Sequence, residues 1–324
     1  MTTSPRIALV LGATGGIGGT LARRLLADGW QVRALHRHAA TASRTAGNAG
    51  LQWLQGDAMQ RADVVSAALQ GAPATLIVHA VNPPGYRHWQ QLVLPMIDNS
   101  IAAARATGAR ILLPGTIYNY GPDALPELTE SSPQHPVTRK GAVRVELEQR
   151  LRTAADDGVR SLIVRAGDFF GPHAGNNWLS QGLVKPGREV TAITYPGKPG
   201  LGHQWAYLPD VAETMLQLVN RPEALATFDT FHMQGHWDQD GARMTEAIRT
   251  ALAKPALPVR AFPWWLVPLA APLVPFFSEL KEMRYLWQQA IRMDNSKLRS
   301  VLGSEPHTPL AQAMRNTLEA LACH

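Results

Sequence analysis

A chain of 324 residues with 45% hydrophobic content can bury a full core, as one large domain or two joined ones, which excludes a disordered protein. The net charge is +6, but 25 arginines and six lysines are scattered along the chain. That argues against a nucleic-acid stripe and suits a small anionic ligand. A single cysteine, Cys323, excludes disulfides and cysteine-based metal centres, so no metal is expected and a reducing, cytoplasmic location is.

In chain order, "IALVL" at 7–11 predicts a first strand. The run is too short for a signal-peptide core or a membrane span. A helix is predicted over 17–28, ended by Gly29, then strands over 31–35, 51–54, 75–81, 110–114 and 159–165. Helical patterns at 60–70, 91–107 and 140–156 fall between or after them. Nearly continuous apolar strands joined by helices specify a parallel sheet covered on both faces, a Rossmann-type, doubly wound α/β domain. Beyond residue 170 prolines and glycines cluster, and a smaller, irregular C-terminal substrate lobe is expected. The expected division is 1–170 with 204–235 returning to the sheet, against 171–203 and 236–324. Within it, 209–220 reads as a helix and 227–235 as a strand.

The turn "GATGGIG" sits between the first strand and the first helix, with Gly12, Gly15 and Gly18 spaced as G-x-x-G-x-x-G. Thr14, Gly16 and Ile17 complete it. Backbone N–H groups and the positive end of a helix dipole can there face a pyrophosphate with no side chain in the way, which predicts a dinucleotide. At the end of the second strand, where a carboxylate would take ribose hydroxyls, the chain has His36 and Arg37 and no acid. An arginine pairs bidentately with a 2′-phosphate, so NADP is favoured, with NAD the alternative. Arg37 also reads as a solvated loop residue.

With "GATGGIG", the residues "GD" at 56–57, "HAVNP" at 79–83, "DN" at 98–99, "GTIYNYG" at 115–121, "RAGDFFGP" at 165–172 and "LPDVA" at 208–212 resemble the extended short-chain dehydrogenase/reductase family, which includes sugar-nucleotide epimerases and dehydratases. The resemblance covers most of the chain. It implies that Asp57 and Ala58 flank the adenine and that Ala80 and Val81 line the cofactor, with Asn82 beside them a candidate substrate contact.

The family uses a Ser or Thr, a Tyr, and a Lys four residues after the Tyr. Thr116 matches the hydroxyl position, but no tyrosine here is followed by a lysine at that spacing. Counting back from Glu148 places Lys140 at the Tyr position and Arg144 at the Lys position. The two cations lie one helical turn apart, so repulsion and burial would ease deprotonation of Lys140, while Arg144 can hydrogen-bond ribose hydroxyls. The alternative is a solvated Lys140 with Arg144 paired to Glu148. Tyr120 and Tyr118 are further acid candidates, at least one of them structural, and Asp168 could be an acid, a substrate contact or a loop cap. Trp178 and Trp205 suggest an aromatic pocket for a hydrophobic small-molecule substrate.

The most apolar stretch, "AFPWWLVPLAAPLVPFF" at 261–277, carries four prolines and is short for a membrane span. It reads as a pocket wall, with a subunit interface of a homodimer or peripheral membrane contact as alternatives. Two functions fit these residues: an NADP-dependent oxidoreductase or epimerase-like enzyme, or a catalytically silent NADP-binding sensor.

Overall fold

A computed structural model describes residues 5–45, 50–83, 89–175, 177–270 and 280–324. The chain divides into two compact units: Met1–Gly115, Val143–Val164 and Ala212–Phe231 form the first, and Thr116–Ala142, Arg165–Val211 and His232–His324 the second.

The first unit is built on seven strands: β1 (Ile7–Leu11), β2 (Gln31–His36), β3 (Gln52–Gln55), β4 (Leu76–His79), β5 (Arg110–Pro114), β6 (Ser161–Arg165) and β7 (Phe228–His232). They form one sheet in the order β7-β6-β5-β4-β1-β2-β3. β1 runs parallel to β2 on one side and to β4 on the other, with Val10 opposite both Ala34 and Val78. β2 with β3, β4 with β5 and β5 with β6 are parallel as well. Parallel pairs need long crossovers, and helices supply them: α1 (Gly16–Ala27), α2 (Ala39–Thr45), α3 (Arg61–Leu69), α4 (Trp89–Thr107), α5 (Arg139–Asp156) and α6 (Leu208–Val219). Leu21 and Leu25 sit one turn apart on α1 and are fully buried, as are Leu9, Leu11, Leu76 and Ile77 of the sheet. Strand order reverses between β1 and β4, the switch point at whose carboxyl edge open α/β sheets bind ligands. The Rossmann-type, doubly wound sheet is as the strand pattern predicts; α2 has no counterpart in that pattern.

The second unit is a set of small sheets. His203–Tyr207 runs antiparallel to His236–Asp238 and parallel to Asp168–Phe170. Ile193–Tyr195 pairs with Val259–Ala261, and Glu127–Leu128 with Arg292–Met293, both parallel. Phe170, Leu179, Trp205, Tyr207, Met244, Ile248 and Met314 share its larger core. Here the division differs from the expected one. Residues 116–142 and 204–211 fall in the second unit, making it larger than the smaller lobe expected. The reason is packing: Tyr120 and Leu128 share a buried cluster with Leu286, Ile291 and Met293. Sequence distance hides that pairing. Of the stretch at 261–277, Phe262 and Trp264 are half-buried while Trp265 and Leu269 are exposed; 271–279 lies outside the described residues. No described helix is long and apolar enough to cross a membrane.

Candidate functional site

In the turn between β1 and α1, Gly12 has φ +95°, and a Cβ there would lie 2.5 Å from the Ala80 carbonyl oxygen. A Cβ on Gly18 would come within 2.3 Å of the Gly12 oxygen. Both positions therefore exclude any side chain. Gly15 is under no such demand: it caps α1 with extended backbone, and its nearest Cβ contact would be 3.3 Å. Its N–H donates to the Gly12 oxygen at 3.0 Å, closing the turn. No side chain caps α1, and no acid lies in its first turn. Thr14 and Gly15 are exposed, Gly16 and Ile17 half-buried. The helix start thus presents uncapped N–H groups and a positive dipole end behind an open glycine surface, a cradle that fits a pyrophosphate.

Past β2, His36 is half-buried and Arg37 exposed. The His36 ring accepts the His38 N–H through Nδ1 at 3.0 Å, and Gln55 holds the loop by donating to the Arg37 carbonyl and accepting from Ala39. The backbone is fixed while the Arg37 guanidinium faces outward. Asp57 is half-buried and braces its own loop: its Oδ1 accepts from Met59 N–H at 3.0 Å, and its own N–H donates to Asp63. Asn99 donates to the Ala58 carbonyl at 2.9 Å, tying α4 to that loop. Ala80 N–H donates to the Leu11 carbonyl, which fixes the exit of β4 beside the glycine turn; Val81 follows half-buried.

Beyond β4 the structure brings together residues far apart in the chain. Arg144 of α5 donates from Nη2 to Asn82 Oδ1 at 3.2 Å and lies over the Trp89 ring. Asn82, a candidate substrate contact, is thus a partner of Arg144. His79, which the sequence reading did not single out, is fully buried, with Nδ1 bonded to the Ser100 hydroxyl at 2.8 Å and Nε2 without a partner among the described residues. Burial first, and then the Arg144 charge, pulls its pKa down to about 3, so the ring is neutral near physiological pH. The stretch "HAVNP" contained the signal, but a histidine on an apolar strand reads as core.

On α5, Lys140 and Arg144 are each 8% exposed and Glu148 is 6% exposed, spaced by four residues along one face. A solvated Lys140 is therefore not what the structure has. The first turn is held by Thr138, whose hydroxyl accepts the Gly141 N–H at 2.9 Å. A Cβ on Gly141 would meet the Tyr118 carbonyl oxygen at 2.1 Å, so a glycine beside Lys140 lets backbone segments touch.

In the second unit, the Thr116 hydroxyl is 2.5 Å from Asn119 Oδ1 and donates to it, and its carbonyl accepts from Arg165. Tyr120 is a core residue: it is buried, with its hydroxyl 3.1 Å from His232 Nε2 and its ring beneath Arg165. That placement is the one expected of a structural tyrosine. His232 itself is held neutral, its pKa brought down to about 3 by burial and then by the Arg165 charge. Asp168 pairs with His203 Nε2 at 2.7 Å, and the His203 ring stacks on Trp287 at 3.8 Å. Trp178 meets Trp287, Phe262 and Trp264 edge-on or tilted, an aromatic cluster. Trp205 is fully buried in the core. No group of metal-binding side chains is found among the described residues.

Sheet order and glycine turn together define a dinucleotide-binding Rossmann protein of the short-chain dehydrogenase/reductase type. The chain belongs to the NAD dependent epimerase/dehydratase family, whose model matches residues 8–233. A 3-diazoavenalumate denitrifying reductase from Streptomyces sp is 29% identical over 180 residues, 52% of this chain and 57% of that protein. The chain thus spans little more than half the length of that curated relative. Among solved structures, UDP-glucose 4-epimerase from Bifidobacterium longum, in complex with NAD+ and UDP, has TM-score 0.73 at 16% identity, covering 98% of each chain. UDP-glucuronic acid 4-epimerase from Bacillus cereus, in complex with NAD, has TM-score 0.75 at 12% identity, also over 98% of each. These likenesses establish the fold.

Proposed function

We propose that the chain is an NADP-dependent reductase of a carbonyl in a small, apolar-bodied substrate. The observation that carries this is the uncapped, open glycine turn at α1 combined with Arg37 in place of an acid after β2. A guanidinium takes a 2′-phosphate as a bidentate partner, whereas a carboxylate would repel it. That the curated relative is named a reductase supports reduction over epimerisation. When bound, the nicotinamide supplies the hydride that goes to the carbonyl carbon.

The chain's own residues then have to hold the ribose and deliver a proton to the carbonyl oxygen. Arg144, braced by Asn82 and Trp89, offers fixed donors to ribose hydroxyls and no exchangeable proton. Thr116 has its hydroxyl proton on Asn119, so it offers an acceptor rather than a donor. Tyr120 is engaged by His232. Lys140, buried one turn before Arg144, stands at the position that the resemblance gives to the proton donor and is the candidate for the acid on α5. The test is a calorimetric titration of the protein and of Arg37→Ala with NADPH and with NADH. The reading predicts NADPH preference in the first and its loss in the second; equal affinities in the unmodified protein contradict it.

A second reading, a silent NADP-binding sensor, is favoured by one observation: α5 carries no tyrosine, and Tyr120 is locked in the core. NADPH binding without oxidation across a broad panel of aldehydes and ketones would select it.

A further inference from the structure

Six large apolar side chains are exposed among the described residues, and four of them, Val259, Trp265, Leu266 and Leu269, fall between 259 and 269 in the second unit. Single exposed apolar residues are ordinary, but a cluster of them marks a surface with a partner. Trp265 is 71% exposed and Leu269 68%, although the inward contacts of this segment are already made. Val267 is buried, and Trp264 is half-buried with its Nε1 donating to the Pro196 carbonyl at 2.7 Å. Val259–Ala261 is held as a strand beside Ile193–Tyr195. The N–H groups of Leu266 and Val267 donate to the carbonyls of Pro263 at 3.0 Å and Trp264 at 3.3 Å, a turn that leads into the short helix Val267–Ala270. It puts Trp264 and Val267 inside and leaves Trp265, Leu266 and Leu269 outside, where the core has no use for them.

The charges around this face fix the kind of partner. Lys198, Arg260, Lys281 and Arg284 are exposed on the segments that carry or adjoin it. The Arg284 guanidinium lies 5.7 Å from the centre of the Trp264 ring, and Lys198 stands just beyond Pro196, the acceptor of the Trp264 indole. Against these cations the stretches 193–200, 256–270 and 281–285 hold one carboxylate, Glu282, which is half-buried and accepts the Arg139 N–H at 3.2 Å. A second copy of the chain is a poor occupant, because a two-fold interface sets a patch against itself and would bring the cations face to face. An anionic bilayer matches both features: its headgroups attract lysine and arginine, and its interface takes up tryptophan and leucine.

We propose that the face formed by Val259, Trp265, Leu266 and Leu269, with Lys198, Arg260 and Arg284 beside it, docks the second unit on an anionic phospholipid surface without crossing it. The proposal goes beyond the reductase reading and uses none of its residues, so either can fail without the other.

The test is cosedimentation of the full chain with vesicles of phosphatidylcholine alone and of phosphatidylcholine and phosphatidylglycerol in equal parts. The chain should pellet with the anionic vesicles, less with the neutral ones, and less as salt is raised. Trp265→Ser/Leu269→Ser and Arg260→Gln/Arg284→Gln, all at exposed positions, should each lower the affinity for anionic vesicles about tenfold or more. No pelleting with anionic vesicles, or an unchanged affinity in either double variant, would overturn the proposal. So would a dimer in sedimentation equilibrium that Trp265→Ser/Leu269→Ser abolishes, since the occupant of the face would then be a second copy.

Discussion

The turn at Gly12–Gly18 works through what its residues lack, and the buried face of α5 through what its residues carry. At the turn, added Cβ atoms at Gly12 and Gly18 would sit within 2.5 Å of backbone oxygens, so the chain path itself forbids side chains. On α5, three ionisable groups, Lys140, Arg144 and Glu148, are buried along one face, where hydrophobic residues would cost nothing to desolvate. A cradle can be specified by absence; a charged face has to be held by partners such as Asn82 and Trp89. On the proposed reading the contrast separates binding from chemistry: the first region would set whether a dinucleotide binds, the second whether the bound dinucleotide reacts.

The largest effect should come from Gly12→Ala. Its Cβ would clash at φ +95°, costing about 1–3 kcal/mol of backbone strain and closing the turn. NADPH binding measured by calorimetry should fall by about 100-fold or more, whereas Gly15→Ala, with its nearest contact at 3.3 Å, should leave the thermal midpoint nearly unchanged. Lys140→Met should break the other half of the contrast. If Lys140 supplies the proton, turnover drops by about 10²–10⁴ while NADPH affinity changes little, a split in which binding and rate constants part company. Equal losses in both would place Lys140 in binding instead.

Arg37→Ala should cost NADP about 1.5–3 kcal/mol of binding and leave NAD unaffected, read as the ratio of the two dissociation constants. For His79, buried beside Arg144, the sign is set by a folded pKa of about 3 against an ordinary 6.5. Above about pH 6.5 the ring is neutral folded or unfolded, and stability is level. As pH falls from there toward 3 the unfolded chain takes a proton that the folded chain refuses, so stability declines by up to about 1.4 kcal/mol per pH unit. Denaturant melts across that window should show a shallower decline for His79→Gln. The smallest change should be Asn82→Ala, which removes one hydrogen bond to Arg144 worth about 1 kcal/mol, visible as a few-fold rise in the cofactor's dissociation constant with turnover preserved.

Legibility followed the same divide. The turn could be read because glycine spacing between a strand and a helix states a backbone requirement directly, and the alternation of apolar runs with helical periods revealed the sheet. The surroundings of Arg144 could not. Asn82 lies 62 residues before it, and nothing in either segment announces the bond. Tyr120 looked like a spare acid because its hydroxyl's partner, His232, is 112 residues away. The membership of 116–142 in the second unit was hidden for the same reason, since it depends on a two-residue strand meeting Arg292–Met293. Gly141 carried a signal of the legible kind, a glycine early in a helix, and its close approach to the Tyr118 oxygen could have been suspected.

The central claim is that a dinucleotide held at the glycine turn is used for reduction by the α5 face. Its most direct test is to load the protein with NADPH, mix it with a panel of aldehydes and ketones with apolar bodies, and follow loss of reduced-nicotinamide fluorescence in a single turnover. The predicted result is tight loading and a fluorescence decay with at least one carbonyl, abolished in Lys140→Met although that variant still loads. Tight loading with no decay in the unmodified protein, or an unchanged decay in Lys140→Met, would contradict it.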